Sequence, residues 1–259
     1  MDLGLNGRKA IICASSCGLG KACAAALARE GVDVVINGRS EENLEAARQD
    51  ILKLARGSVT PVLADINTSD GRARLIAACP DADILVNNND GPPPGTFQQW
   101  DETHWQAALD ANLLAPIFMI KALVEGMKAR RFGRIVNITS AMVKAPRSAM
   151  GLSTTARSGL TAMCKGLSVD VAPFNVTINN MLPERFDTER QEQMARLAMA
   201  FKKITREEAR AEIAQSIAAK RMGDPAEFGD ACAFLCSAQA GFISGQNLQL
   251  DGGSYPGLI

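Results

Sequence analysis

The segment Lys9–Lys21, KAIICASSCGLGK, decides how the rest of the chain is read. A short apolar run, KAIICA (9–14), breaks into the small-residue turn SSCGLG, and an Ala-rich helical stretch follows through Glu30. Gly18 and Gly20 remove side chains where a backbone has to approach a phosphate and where the helix has to pack on the first strand. The N–H groups that open the helix direct positive partial charge at the turn. A Gly-x-Gly is also what a tight structural turn looks like. Its position between a first strand and an Ala-rich helix is what favours phosphate binding.

Outward from this turn, short apolar runs alternate with longer helical ones. VDVVIN (32–37) reads as a strand, and EENLEAARQDILKLA carries Leu44, Ala47, Ile51 and Leu54 at helical spacing. SVTPVLAD, a helix from about Thr68 and ADILVNN continue the pattern, and a loop, DGPPPG, follows. A long helical region is expected over 103–129 with a kink at Pro116, then a strand GRIVNIT, a helix over 153–172 and a strand NVTINNML. A charged helical insertion at about 188–219 precedes a helix opening at Asp224-Pro225, and NLQLDGG closes the chain as the last strand. Strands alternating with helices throughout imply parallel crossovers and a doubly wound α/β sheet. With no linker, repeat or low-complexity segment, residues 1–259 are expected to form one domain, with a lid over the substrate at about 185–219. Ligands of such sheets bind beyond the carboxyl ends of the strands. The segments there are SSCGLG, NGRS, ADI, NNNDG, ITSAM and LPERFDT.

Composition narrows the function. Lys+Arg and Asp+Glu both number 28, so nothing points to nucleic acid or an anionic membrane surface. No export signal is visible and no run approaches the roughly 20 apolar residues of a membrane span. Seven cysteines without an export signal read as free thiols in a reducing cytoplasm. Cys232 and Cys236, one helical turn apart, read as core packing, and no metal site is expected. His104, the one histidine, and Trp105 read as cap and packing at the start of the long helix.

At the end of the second strand an acidic residue would accept both ribose hydroxyls of NAD. Here the chain has Asn37-Gly38-Arg39-Ser40. A guanidinium suits a 2′-phosphate, which favours NADP(H) over NAD; the alternative is that Arg39 is a solvated side chain. Asp65, with Ile66 beside it, is placed to accept from an adenine amine, or else to cap the approach to the next helix.

With the glycine turn, Asp65, Asn87-Asn88, Asn112 and Ser140 in this order, the chain resembles the short-chain dehydrogenase/reductase family over essentially its full length. It is most similar to the 3-oxoacyl-carrier-protein reductase type. The resemblance implies a Rossmann-type domain with a seven-stranded parallel sheet, a small-molecule substrate, and a homotetramer or dimer that buries the long middle helices and the last strand. It implies cofactor contacts from Ala14, Ser16, Gly18, Leu19, Gly20, Asn88, Pro183 and Thr188. It also implies a proton-relay water held by Asn112 and a reacting oxygen bonded by Ser140.

The departures from that pattern carry the functional question. Ala14 stands where the phosphate turn has its first glycine, Asn89-Asp90 where Ala-Gly is usual, and Glu184 where a glycine follows Pro183. Counting 13 residues from Ser140 reaches Ser153 at the position of the catalytic tyrosine, and Arg157 stands at that of the lysine. A divergent branch of the family is similar in having Ser-x-x-x-Arg there. A serine hydroxyl is a far weaker acid than a phenol, so Ser153 is poorly suited to giving up a proton, though it can donate a hydrogen bond to an oxyanion. Arg157 cannot shuttle protons near neutrality; it can stabilise an oxyanion, hold a carboxylate substrate or clamp the cofactor ribose. Lys144, four residues past Ser140, becomes an acid if desolvated at the pocket rim and is otherwise a solvated loop lysine. Tyr255, the chain's one tyrosine, reaches the site only if the C-terminal tail folds over it. Met194, Met199, Phe201 and Ile204 would give the lid an apolar underside. Three functions remain in view: NADP(H)-dependent carbonyl/alcohol oxidoreduction, nucleotide binding without turnover, and non-redox chemistry with Lys144 or Glu184 as base.

Overall fold

The computed structural model describes residues 2–258. Strands β1 (Lys9–Ile12), β2 (Asp33–Gly38), β3 (Val59–Leu63), β4 (Ile84–Asn87), β5 (Gly133–Ile138), β6 (Val176–Pro183) and β7 (Asn247–Leu250) form one sheet in the order β3-β2-β1-β4-β5-β6-β7. Every pairing is parallel. The order reverses between β1 and β4, so the cleft beyond their carboxyl ends is where such a sheet receives a ligand.

Because alternate side chains leave a strand on opposite faces, each strand feeds two cores. Ala10, Ile12, Val34, Ile36, Val86 and Ile138 face helices α1 (Gly18–Arg29), α2 (Glu41–Leu52) and α9 (Pro225–Cys236). Ile11, Cys13, Val35, Leu85, Ile135 and Ile178 face α3 (Ser69–Ala78), α5 (Ala115–Ala129) and α6 (Gly151–Val171). Cys232 and Cys236 are fully buried in the first of these cores, as expected of packing cysteines.

The register also aligns four asparagines across the sheet. Asn87 Nδ2 donates to Asn137 Oδ1, Asn137 Nδ2 to Asn180 Oδ1, and Asn180 Nδ2 to Asn247 Oδ1, each at 2.9 Å. A buried amide is tolerable only when its donors and acceptors are matched. Each member of this ladder satisfies the next.

Two expectations need correction. The long helical region is not one continuous α-helix: α4 (Glu102–Leu109) passes through a π turn, Asp110–Leu114, into α5, with Pro116 in the first turn of α5. Ala115 N–H bonds back to the Asp110 carbonyl, so the wider turn falls just ahead of the residue that has no N–H to give. The charged insertion is two helices, α7 (Glu189–Lys202) and α8 (Arg206–Gln215), broken where Lys203 adopts φ +57°. The stretch Glu102–Ala129 contains an 18-residue window with a mean hydropathy of 1.6, long and apolar enough by composition alone to pass for a membrane crossing. Met119, Ile120, Leu123 and Met127 of that stretch are buried against the sheet, as in the core helix of a globular fold.

Candidate active site

The phosphate turn is built by side chains from three strands. Ser15 Oγ accepts from Asn37 N and donates to the Ile12 carbonyl. Asn37, itself buried, accepts from Ala14 N through Oδ1 and donates through Nδ2 to the carbonyls of Val62 and Ala64. Asn88 Nδ2 donates to the Ala14 carbonyl at 2.9 Å. A β-carbon at Gly20 would overlap that carbonyl oxygen and stand 2.7 Å from Asn88 Nδ2, so this position admits only glycine. Ala14 adopts φ +43°, the left-handed region where the resembled pattern has glycine; the substitution keeps the turn at the expense of strain.

Helix α1 begins beneath this turn with no side-chain cap at Cys17 and no acidic residue in its first turn. In α2, α3, α4, α8 and α9 a Ser, Thr or Asp side chain caps the N-terminus. The open N–H groups of α1 are the feature a pyrophosphate requires, and the residues present fit a dinucleotide there. Ser16, Gly18 and Leu19 form the rim. The methyl of Thr188 and a carboxylate oxygen of Glu189 lie 3.8 and 3.7 Å from the place of a β-carbon on Gly18, so the segment after β6 closes down on the turn. Thr188 opens α7, and Pro183 ends β6, paired with Leu250 of β7.

At the adenosine end, Arg39 lies at the end of β2 but forms an ion pair at 2.5 Å with Asp90, beyond β4. Asp65 accepts from Asn67 N through Oδ1, the capping alternative, while Ile66 is buried and its carbonyl accepts from Arg72.

The catalytic segment is organised by Arg157. Its guanidinium is buried and donates four times: Nε to Ser153 Oγ at 3.2 Å, Nη1 to the carbonyls of Ile138 at 2.6 Å and Thr139 at 3.1 Å, and Nη2 to the carbonyl of Asn89 at 3.2 Å. Four of its five N–H groups are thereby spent on holding the ends of β4 and β5 together and on fixing Ser153. Arg157 thus has a structural role, since the planar fork suits strand-end carbonyls better than a single charge would. Burial pulls the Arg157 pKa down to about 10; the nearby charge of Arg190 adds to the effect and that of Asp90 opposes it.

Ser153 is buried on the first turn of α6, and its oxygen takes the Arg157 N–H, which leaves the hydroxyl proton to give. Ser140 is arranged alike: its Oγ accepts from Met142 N at the head of a short 3-10 turn. Gly91 runs past this pair, the place of its β-carbon being 3.8 Å from Ser153 Oγ and 3.6 Å from Arg157 Nη2. Asn112, in the π turn, donates to the Asp90 carbonyl at 3.2 Å, and its Oδ1 is buried without a partner. An orphaned buried acceptor is where a water molecule can donate.

Lys144 is half-buried with its ammonium 5.4 Å from the centre of the Tyr255 ring, so the C-terminal tail does fold back to the loop that follows Ser140. The cation beside Arg157 is Arg190, which donates to the Pro92 carbonyl at 3.3 Å. Glu184 is engaged with Arg147 at 3.0 Å and Arg185 at 4.0 Å, which leaves it poorly placed to act as a free base. Beyond Gly91, Pro93, Pro94, Arg190, Met194 and Leu197 line a cavity of about 330 Å³. Met194 therefore supplies the expected apolar wall, whereas Phe201 points to solvent. Gly91 and Arg190 were not singled out from the sequence, nor were the bonds made by Asn37 and Asn89, because these residues act through partners distant along the chain.

A parallel sheet with an uncapped glycine-turn helix at its switch point, and serine hydroxyls beyond β5, defines a nucleotide-dependent dehydrogenase class of fold. Residues 13–255 match the family model described as enoyl-(acyl carrier protein) reductase, and the chain belongs to the short-chain dehydrogenase/reductase family. It is 33% identical to the NADPH-dependent reductase BacG of Bacillus subtilis, over 97% of this chain and 99% of that one. The crystal structure of YwfH, an NADPH-dependent reductase involved in bacilysin biosynthesis, superposes with a TM-score of 0.90 at 32% identity, covering 97% of this chain and 99% of that one. L-sorbose reductase from Gluconobacter frateurii, complexed with NADPH and L-sorbose, superposes with a TM-score of 0.94 at 26% identity, covering 100% of both chains.

Proposed function

We propose that the protein is an NADP(H)-dependent reductase of a small carbonyl compound, with Ser153 and Ser140 binding the reacting oxygen. The observation that carries this reading is the Arg157 fork, which occupies the Ser153 oxygen and leaves its proton to donate. When bound, the cofactor supplies or takes the hydride. The two hydroxyls, each with its oxygen already hydrogen-bonded by an N–H, donate to the oxygen as negative charge develops on it. Asn112 Oδ1, buried and without a protein partner, would accept from a water. The NADPH dependence of the relatives and Arg39 at the end of β2 support NADP(H) over NAD(H). Ala14, Ser16, Gly18, Leu19 and Gly20 would line the pyrophosphate, Asp65, Ile66 and Asn88 the adenosine side, and Pro183 and Thr188 the nicotinamide side.

A second reading is favoured by the lack of a phenol acid and by the enoyl reductase description of the family model. In it, hydride adds to the β-carbon of a C=C bond conjugated to the carbonyl, the electron pair moves to the oxygen, and water protonates the α-carbon. An enolate is a weaker base than an alkoxide, so hydrogen bonds without a strong acid suffice.

The seven free cysteines, six of them buried, fit a reducing cytoplasm. Phe118 of α5, Val169 of α6 and Phe242 ahead of β7 are exposed, which fits a homo-oligomer that covers the long helices and the last strand. Calorimetric titration with NADPH and NADH, in the wild type and in Arg39→Asp, is the first test. Tight NADPH binding lost in the variant supports the reading and calls for a panel of carbonyls and enones followed by NADPH absorbance. Binding of neither nucleotide refutes it. Binding without turnover on either panel identifies a nucleotide-binding protein instead.

A further inference from the structure

We propose that Asp90 is an intramolecular competitor for Arg39 and so sets the affinity for the 2′-phosphorylated cofactor. This rests on the NADP(H) reading above and adds a residue to it that opposes binding.

The sheet order places β1 between β2 and β4. Arg39 follows β2 and Asp90 follows β4, so their ion pair, Nη2 to Oδ2 at 2.5 Å, crosses above the end of β1 from which the phosphate turn departs. A dinucleotide laid along that turn meets the bridge. The base of Asp90 is fixed from both sides: its N–H donates to Asn89 Oδ1 at 2.9 Å and its carbonyl accepts from Asn112 Nδ2 at 3.2 Å. Asn89 is in turn tied to Asn67 Oδ1 and the Ala111 carbonyl. A held backbone keeps the Asp90 carboxylate, paired only with Arg39 among the described residues, at the mouth of the groove. That charge is felt at Cys17 in the phosphate turn and at Arg157 on α6, which places it centrally.

Arg39 has one charged partner among the described residues, and it is Asp90. A 2′-phosphate offers it more charge and three acceptor oxygens against the carboxylate's single charge. Binding is therefore an exchange: Arg39 leaves Asp90 for the phosphate, and Asp90 is left near a second anion. Both halves of this exchange weaken binding relative to a chain with a neutral residue at 90.

The test is calorimetric titration of NADPH into the wild type, Asp90→Asn, Arg39→Met and the double variant, at low and at raised ionic strength. Asp90→Ala serves as a second substitution, and thermal unfolding verifies that each variant is folded. Asp90→Asn is expected to tighten NADPH about two- to five-fold at low salt, the range an exposed ion pair is worth. The gain should shrink as salt screens the pair, and it should nearly vanish when Arg39 is already Met. Affinity that is unchanged or weakened in Asp90→Asn, or a gain that persists without Arg39, overturns the proposal; weakening would mean that Asp90 contacts the cofactor directly. If the wild type binds NADPH and Asp90→Asn binds it equally, only the competitor role falls. If no variant binds, the cofactor reading falls with it.

Discussion

Replacing Arg157 by lysine restores the residue of the resembled pattern and is expected to damage this protein. The guanidinium reaches four acceptors in three directions, to Ser153, to Ile138 and Thr139, and to Asn89. A lysine ammonium donates from one atom, so it can keep the two adjacent β5 carbonyls but not also Ser153 and the Asn89 carbonyl across the strand gap. A hydrogen bond to a charged donor contributes about 1.5–3 kcal/mol, and loss of two, relieved in part by water entering from the cleft, gives about 3 kcal/mol. For a chain of this size that lowers Tm by roughly 6–12 °C. Urea unfolding followed by tryptophan fluorescence and far-UV dichroism measures the first number, and differential scanning calorimetry the second. The same variant should lose the fixed orientation of Ser153, and hence turnover, while NADPH binding at the α1 end falls much less. Stability within about 1 kcal/mol of the wild type would refute the assignment of Arg157 as the tie between the β4 and β5 ends.

Three further outcomes follow from particular contacts. Ala14→Gly relieves a left-handed φ of +43° that costs roughly 1–2 kcal/mol; after the greater entropy of unfolded glycine is subtracted, denaturant melts should show a gain of about 0.5–1 kcal/mol. Asn137→Leu strands the Asn87 amide donor and the Asn180 carbonyl oxygen in the sheet interior and should cost about 3 kcal/mol in the same assay. Glu227, hydrogen-bonded by Arg221 and by the Asp224 N–H, has its pKa lowered from 4.5 to about 2. Its contribution is complete above the unfolded value and is lost as pH falls through that window, so Glu227→Gln should flatten the acid limb of the stability curve between about pH 4.5 and 2.

Much of the fold was legible because it is written locally. The alternation of apolar runs with helical stretches, the Gly18-x-Gly20 turn and the Asp224-Pro225 cap all lie within a few residues of the structure they specify. The π turn at 110–114 was not, because one extra residue in a helix barely disturbs a 3.6-residue pattern and Pro116 drew attention to itself rather than to the turn before it. The asparagine ladder needs the parallel register, which links positions 43 to 67 residues apart. The same is true of the site. Ser140, Ser153 and Arg157 could be found by counting, but their roles could not. Arg157 acts on carbonyls 18, 19 and 68 residues away, and Arg39 meets Asp90 across 51.

Four of the positions at which this chain departs from its family's pattern, Asn89, Asp90, Ser153 and Arg157, are physically joined. Ser153 is oriented by Arg157, Arg157 reaches across to the carbonyl of Asn89, and Asn89 is pinned by its own amide to Asn67 and Ala111. Asp90 receives Asn112 on its backbone and Arg39 on its side chain, and Gly91 leaves room beside Ser153 and Arg157. A site that had merely decayed would lose these partners one at a time, and each loss would leave a buried polar group unmatched at a cost of about 1–3 kcal/mol. Among the four departing residues and Asn112, the described structure leaves one buried side-chain polar atom unmatched, Asn112 Oδ1. A lysine at 157 would not reach Asn89, and a tyrosine at 153 would press on Gly91. The substitutions support one another physically, as the proposed oxygen-binding site requires.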